Sequence, residues 1–327
     1  MQKPSRSDIH ETVTQRIIAL LETAQQTGAH MPWCKPGVAH SRPINAVTQR
    51  PYRGINILSL WAAADAANYK SGVWATFKQW KELGASVKKG EKASPIVFYK
   101  SIDLKDDPAD VVVDGDDLPK SIRIAKGYWG FNADQVEGYA LPEVPTVDLV
   151  TRLERVDTFV AATGADIRHC GARAFYRPSD DFIQMPERSL FRDTPSSTAT
   201  EGYYAVLCHE LGHYSGAAKR LHRDLSGRFG DKAYALEEMI AEWTSGFLCA
   251  DLGITAQPRQ DHAHYIATWL GVLKSDKTAV FTAAAKANQA VEYLFGLQPD
   301  TASSASRQHF IDTGRYLTEA ERAAGGA

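Results

Sequence analysis

Positions 209 to 213 read His209-Glu210-Leu211-Gly212-His213, an intact H-E-x-x-H, which on a helix is a metal-binding and hydrolytic motif. With 3.6 residues per turn, positions i and i+4 share one face. His209 and His213 can therefore offer two ring nitrogens to a single divalent ion, most simply Zn2+, with Mn2+ as another possibility. A catalytic zinc takes three protein ligands and keeps a fourth position open, so a further donor must come from elsewhere in the chain. Glu210 is turned off the two-histidine line yet stays beside the ion. That suits a general base, which takes a proton from the attacking water and returns it to the leaving amine. Tyr234, His222 and His264 are candidate donors to the oxyanion that forms when a carbonyl is attacked. The extended motif with a third histidine is excluded, because Gly216 is in place but Lys219 stands where that ligand is required.

Two helices must position these groups. Around the motif, Tyr204, Leu207, Cys208 and Leu211 recur at helical spacing. In Tyr234 to Ala250, Leu236, Met239, Ile240, Trp243 and Phe247 do the same and define a second buried helix carrying Glu237, Glu238 and Glu242. Glu238 and Glu242 lie one turn apart, while Glu237 sits about 100° round from Glu238. We read Glu238 as the third ligand and Glu242 as the carboxylate that orients a ligating histidine. Helical spacing alone does not rank the pair, so the reverse assignment stays open.

A length of 327 residues suggests two domains, and 44% hydrophobic residues suffice for packed cores. The net charge of -2 conceals an uneven distribution: residues 1 to 100 hold 14 Lys and Arg against 6 Asp and Glu. Cys34, Cys170, Cys208 and Cys249 show no C-x-x-C spacing, which argues against a cysteine metal site or a disulfide framework and fits a reducing compartment. The first residues lack the apolar core of a signal peptide, and no run reaches membrane-spanning length. The expectation is a soluble cytoplasmic protein with no membrane partner.

The organisation expected is α+β. Residues 1–140 form an α+β domain interrupted by an acidic loop at 103–120, and 141–147 a proline-bearing linker. Residues 148–297 form a mainly helical domain with a small antiparallel sheet, and 298–327 a disordered tail. The first domain opens with a helix over Ile9 to Gln26, capped by Asp8. A loop follows over Ser41 to Asn56, then helices over Ile57 to Tyr69 and from Trp74 to Gly84, and strands over Ser94 to Lys100 and Ile122 to Phe131. The second opens with a helix over Asp148 to Thr163, followed by strands Arg173 to Arg177 and Asp181 to Met185. The latter strand could pair with an extended substrate.

Basic turns beside aromatic residues suit single-stranded nucleic acid, since phosphates need cations and unstacked bases need flat partners. On that reasoning Trp33, Arg42, Asn45, Arg50, Tyr52, Arg53, Asn56, Trp74, Lys78, Lys88, Lys89 and Lys92 are the candidate contacts. Trp61, Phe77 and Trp80 read as core.

The stretches RPINAVTQRPYRGINIL, WATFKQWKELGASVKKGEK, VFYK and FNADQVEGY resemble the N-terminal single-stranded-DNA-binding domain of ArdC-type antirestriction proteins, which also occurs in some plasmid primases. HELGHYSGAAKRLHRD, YALEEMIAEWTSGFLCADLGI and HAHYIATWLGVLKSDKTAVFTAAAKANQAVEYLFG resemble that family's zincin-like metallopeptidase domain. The resemblance runs from about residue 8 to 297. It implies a protein of conjugative or mobile elements that binds incoming single-stranded DNA and shields it from host restriction. It also implies a divalent metal held by His209, His213 and a glutamate of the second helix, with Glu210 as base. The chain departs from the family pattern at Ala93-Ser94, after KKGEK. Two other classes compete with this reading. One is a non-enzymatic DNA-shielding protein with a structural zinc. The other is a cytosolic processing metallopeptidase whose basic half recruits an acidic protein, leaving a protein substrate or the restriction machinery as partner.

Overall fold

Helix α1 (Arg6–Thr27) buries Ile9, Val13, Ile17, Leu21 and Ala24, which recur every three or four residues and put one stripe inward. It begins at Arg6, so Asp8 lies in its first turn rather than capping it. The computed structural model describes residues 6–28, 31, 33, 41–103, 121–141, 149–227, 231–255 and 262–298. The acidic loop from 104 to 120, linker residues 142–147 and the tail beyond 298 lie outside the described residues. Gln298 itself is buried, and its amide donates to the Phe159 and Leu294 carbonyls, so it belongs to the packed body.

The N-terminal half is built on a four-stranded sheet. Its members are β1 (Ile44–Asn45), β2 (Val73–Thr76), β4 (Ser94–Asp103) and β5 (Ser121–Asn132), in the order β1-β2-β5-β4. β1 and β2 run parallel, and β4 and β5 form a long antiparallel pair from Ser94 opposite Gly130 to Asp103 opposite Ser121. Helix α2 (Ile55–Ala67) covers the outer edge of β4. There Asn56 both donates to and accepts from Val97 at 2.8 Å, and Ser59 donates to Pro95 at 3.1 Å. These bonds satisfy backbone groups that a bare edge would leave open to another strand.

Trp74, expected in a helix, lies instead in β2, and helix α3 starts three residues later at Phe77 and ends at Glu82. The reason is local. Thr76 and Gln79 form a capping box, each side chain bonding the other's backbone N–H, which fixes the helix start there. β3 (Ser86–Val87) and β6 (Val136–Glu137) make a separate antiparallel pair.

In the C-terminal half, helix α4 (Leu149–Ala162) precedes strands β7 (Asp166–His169), β8 (Phe175–Arg177) and β9 (Phe182–Met185), in the order β7-β9-β8. β7 pairs parallel with β9, so this sheet is mixed rather than antiparallel, and β7 escaped the sequence reading. Helices α5 (Ala199–Ser215), α6 (Lys232–Leu252), α7 (His262–Ser275) and α8 (Ala279–Gly296) follow.

One apolar core crosses both halves. Trp33 meets Trp243 edge-on at 6.1 Å and Trp61 meets Phe247 at 5.8 Å, while α1 residues join the same cluster as α7 and α8 residues. Arg42 adds a buried polar tie, its guanidinium donating to Asp251 at 2.6 Å and Asn288 at 2.8 Å. The largest apolar cluster therefore spans the expected domain boundary, while two smaller clusters, around Trp80 and around Trp74, lie wholly within the N-terminal half. No described helix is long and apolar enough to cross a membrane.

Candidate metal centre and nucleic-acid-facing surface

Helix α5 is started by a capping box between Thr198 and Glu201, which fixes its phase, and its C-terminal turns carry the motif. His209 and His213 then bring their Nε2 atoms to 3.2 Å of each other. Whether α6 can reach them depends on Gly212. A Cβ at that position would lie 2.9 Å from Ala241 Cα, closer than carbon atoms pack, so only glycine lets α5 and α6 approach this closely. At that separation the Glu238 carboxylate lies 3.5 Å from His209 Nε2 and 3.6 Å from His213 Nε2.

These three side chains each offer one donor atom, all within 4.8 Å of one another. The set fits a divalent ion on two grounds. Bonds of about 2.0–2.2 Å in a tetrahedron put ligand atoms about 3.3–3.6 Å apart, as found here. In addition, His213 Nδ1 bonds the Glu237 carboxylate and His209 Nδ1 lies 3.5 Å from Glu242, a placement that favours the proton on Nδ1 and turns both Nε2 lone pairs to the same point. Two lone pairs repel; a cation between them and Glu238 removes the conflict.

The Nδ1 partners differ in strength. His213 Nδ1 meets Glu237 Oε1 at 3.2 Å, and Arg223 grips the same carboxylate with two bonds of 2.9 and 2.7 Å. Arg223 also donates to Ser215 Oγ and the Gly212 carbonyl, which ties it to the last turn of α5. Burial pushes the Glu237 carboxyl up, but the bonds from Arg223 and His213 outweigh it and hold the group below its ordinary value. His209 Nδ1 faces Glu242 Oε2 at 3.5 Å, and the other Glu242 oxygen accepts from the Trp33 indole at 3.3 Å. Glu237, Arg223 and Trp33 escaped the sequence reading in these positions. A signal for Glu237 was its adjacency to Glu238, but nothing in the sequence announced Arg223 or Trp33.

Glu210 is buried and lines a cleft of about 290 Å³ together with His213, Glu237, Glu238, Tyr234, Tyr265, Asp224, Leu225 and, at β8, Phe175 and Tyr176 with the flanking Ala174 and Pro178. The Tyr234 hydroxyl lies 3.1 Å from that of Tyr265. Burial, reinforced by the Glu238 charge, raises its phenol well above the ordinary range, so it stays a hydrogen-bond donor. His222 is exposed, bonded to the Ala218 carbonyl, and does not line this cleft. His264 belongs to α7, but its side chain lies outside the described residues. The strand beside the cleft is also not the one expected: β9 is paired on both sides, whereas β8 is an edge strand.

The candidate nucleic-acid contacts divide by burial. Trp33, Arg42, Asn45, Tyr52, Asn56 and Trp74 are all buried, which corrects their reading as surface contacts. Each has an internal use. Arg42 ties the halves together, Asn45 accepts from the Val47 and Thr48 amides, and Asn56 caps β4. Tyr52 and Trp74 join the cluster between α2 and the sheet, and Trp33 backs Glu242. Arg50, Arg53, Lys78, Lys88, Lys89 and Lys92 are exposed. Arg53 sits 3.7 Å from Glu292 of α8 and Lys78 3.6 Å from Glu82, both pairs open to water. Lys88 donates to the Asp134 carbonyl at 2.8 Å.

Comparison with known proteins assigns both halves. Residues 7–131 match the family model described as the N-terminal domain of anti-restriction factor ArdC, and residues 154–286 match that of a zincin-like metallopeptidase. The chain is 48% identical over 296 residues to the uncharacterized protein y4eC of Sinorhizobium fredii, covering 90% of this chain and 94% of that one. It is 35% identical over 304 residues to a DNA primase TraC of Escherichia coli, of which it spans only 20%. Crystal structures of the antirestriction ArdC protein from plasmid R388 superpose on it at 37% identity. The metal-free form gives a TM-score of 0.70, with 89% of this chain and 98% of that one covered. The Mn(II)-bound form gives 0.69, with 90% and 99% covered.

Proposed function

The chain belongs to the ArdC family of antirestriction proteins, and from that premise we propose that its N-terminal half holds single-stranded DNA while its C-terminal half is a metal-dependent peptidase. The site of action is the cytoplasm, where DNA entering a cell meets restriction enzymes. The observation that carries the peptidase reading is the convergence of His209, His213 and Glu238 beside a buried Glu210, with Glu210, His213 and Glu238 lining a cleft flanked by an edge strand.

His209, His213 and Glu238 would hold the ion. Two imidazoles and one carboxylate suit zinc, with manganese as the alternative. When bound, such an ion supplies Lewis acidity, polarising a carbonyl and bringing the pKa of water to about 7. The remaining work falls to the chain. An extended peptide adds to the free edge of β8, its backbone N–H and C=O groups pairing with that strand. Glu210 accepts a proton from the attacking water and passes it to the nitrogen of the leaving amine. Tyr234, kept protonated, donates a hydrogen bond to the oxyanion. Glu237 and Glu242 hold the two imidazoles in the tautomer that leaves Nε2 free.

Glu210→Gln is the test. It preserves the shape of the side chain but accepts no proton, so cleavage of a protein substrate, including candidate components of the restriction machinery, should fall by at least about 100-fold. Metal affinity and oligonucleotide binding should be unchanged. Protection of transferred DNA that survives in this variant at the wild-type level would favour a shielding protein with a structural ion.

A further inference from the structure

Resting on the reading of the N-terminal half as a single-strand binder, we propose that the strand is seated on an open strip of the four-stranded sheet, where Trp129, Phe131 and Phe77 offer a row of rings to unstacked bases. Trp129 is 42% exposed and Phe77 59%, with Phe131 between them half-buried against the Trp80 cluster. Trp129 and Phe131 are two residues apart on β5, so both rings stand on one face, about 7 Å from each other along the strand. The Phe77 ring meets Phe131 edge-on at 6.3 Å and carries the row across β2 to the start of α3.

The backbone under this row is held by its neighbours. On the opposite face Ile96 fills the space over Gly130, where a Cβ would lie 2.4 Å from its Cδ1. The buried Trp80 indole donates to the Phe131 carbonyl at 3.0 Å. On the same face as the row, Ile9 of α1 closes over Gly127, and α3 bounds the other end. Between them Trp129 stands out from the face, while Pro95, opposite it across the sheet, and Ala75, opposite Phe131, are buried.

Its chemistry fits a polynucleotide better than an apolar protein segment. The strip exposes flat rings rather than branched aliphatic side chains, and cations stand beside it. Lys78 adjoins Phe77 with its side chain 87% exposed, and the exposed Lys92 leads into β4 opposite the Trp129 strand. Every base has a π face, so a row of rings grips single strands with little regard to sequence, while the lysines take phosphates.

The experiment measures binding of a labelled oligo-dT to the full chain by fluorescence anisotropy across a salt series. Trp129→Ala and Phe77→Ala should each weaken binding about fivefold or more, with the slope of log K against log salt unchanged, because a ring releases no counterions. Lys78→Ala with Lys92→Ala should instead flatten the slope. In the wild type oligo-dT should quench tryptophan emission; Trp129→Phe should keep most of the affinity but lose that quenching, a signature that a folding defect does not produce. If the wild type binds and the Trp129→Ala, Phe77→Ala double variant binds within twofold of it, the strip is not the seat. If the wild type itself does not bind oligo-dT in dilute buffer, the single-strand reading of the whole half falls.

Discussion

Replacing Gly212 by alanine should loosen the metal centre without touching a ligand. The added Cβ would stand 2.9 Å from Ala241 Cα and 3.3 Å from the Ala241 carbonyl oxygen. Carbon atoms pack at about 3.5–4.0 Å, so α5 and α6 must separate by about 0.6 Å or more. That exceeds the tolerance of about 0.2 Å on a metal–ligand bond. The displacement acts directly between the histidines on α5 and Glu238 on α6. Two effects on stability oppose each other: overpacking costs about 1–3 kcal/mol, while alanine in a helix is better than glycine by about 1 kcal/mol. The metal-free variant should therefore lose about 0–2 kcal/mol. A tenfold loss of ion affinity removes a further 1.4 kcal/mol or so, seen only when the ion is present. For a chain of this size that is about 2 °C of melting temperature. Thermal melts of wild type and variant with and without Zn2+ or Mn2+ separate the two contributions. An equal ion-induced shift in both proteins would refute the spacer role of Gly212.

Trp33→Phe keeps the packing on Trp243 but removes the indole donor to Glu242, so ion affinity should drop about threefold to tenfold with the metal-free melting temperature nearly unchanged. Competition with a chelator measures this, and wild-type affinity would detach the indole from the centre. Arg223→Ala leaves the Glu237 carboxylate buried without its cation and should cost about 3–5 kcal/mol in urea unfolding; a loss under about 1 kcal/mol would mean the pair matters little. In acid, the Arg220 guanidinium holds the Asp181 carboxyl well below its usual range. Since the folded value is depressed, this group's contribution is complete above the unfolded value near 4 and disappears as pH falls toward the folded one. Asp181→Asn should lower the urea midpoint at pH 7 and flatten its decline below about pH 4, and an unaltered decline would assign the acid sensitivity elsewhere.

The sequence by itself marked the residues of the candidate metal centre. His209, Glu210 and His213 share a helix because i and i+4 coincide on any α-helix, and an acidic helix had to follow because two imidazoles do not complete a site. It also determined most helices, whose apolar residues recur with a period that only one conformation buries. Tertiary packing decided what periodicity leaves free. Glu237, Glu238 and Glu242 are close to equivalent in spacing, and it is the contact of Gly212 with Ala241 that turns Glu238 to the Nε2 atoms and leaves Glu237 and Glu242 behind the rings. The same holds for the N-terminal half. Composition registers that arginines, asparagines and tryptophans are present, but not which side of a sheet they face. Arg42, Asn56 and Trp74 went inside to tie helices and close a strand edge, while Trp129 and Phe77 stayed at the surface. A side chain's exposure depends on which distant segment covers it, and that is settled only when the whole chain has packed.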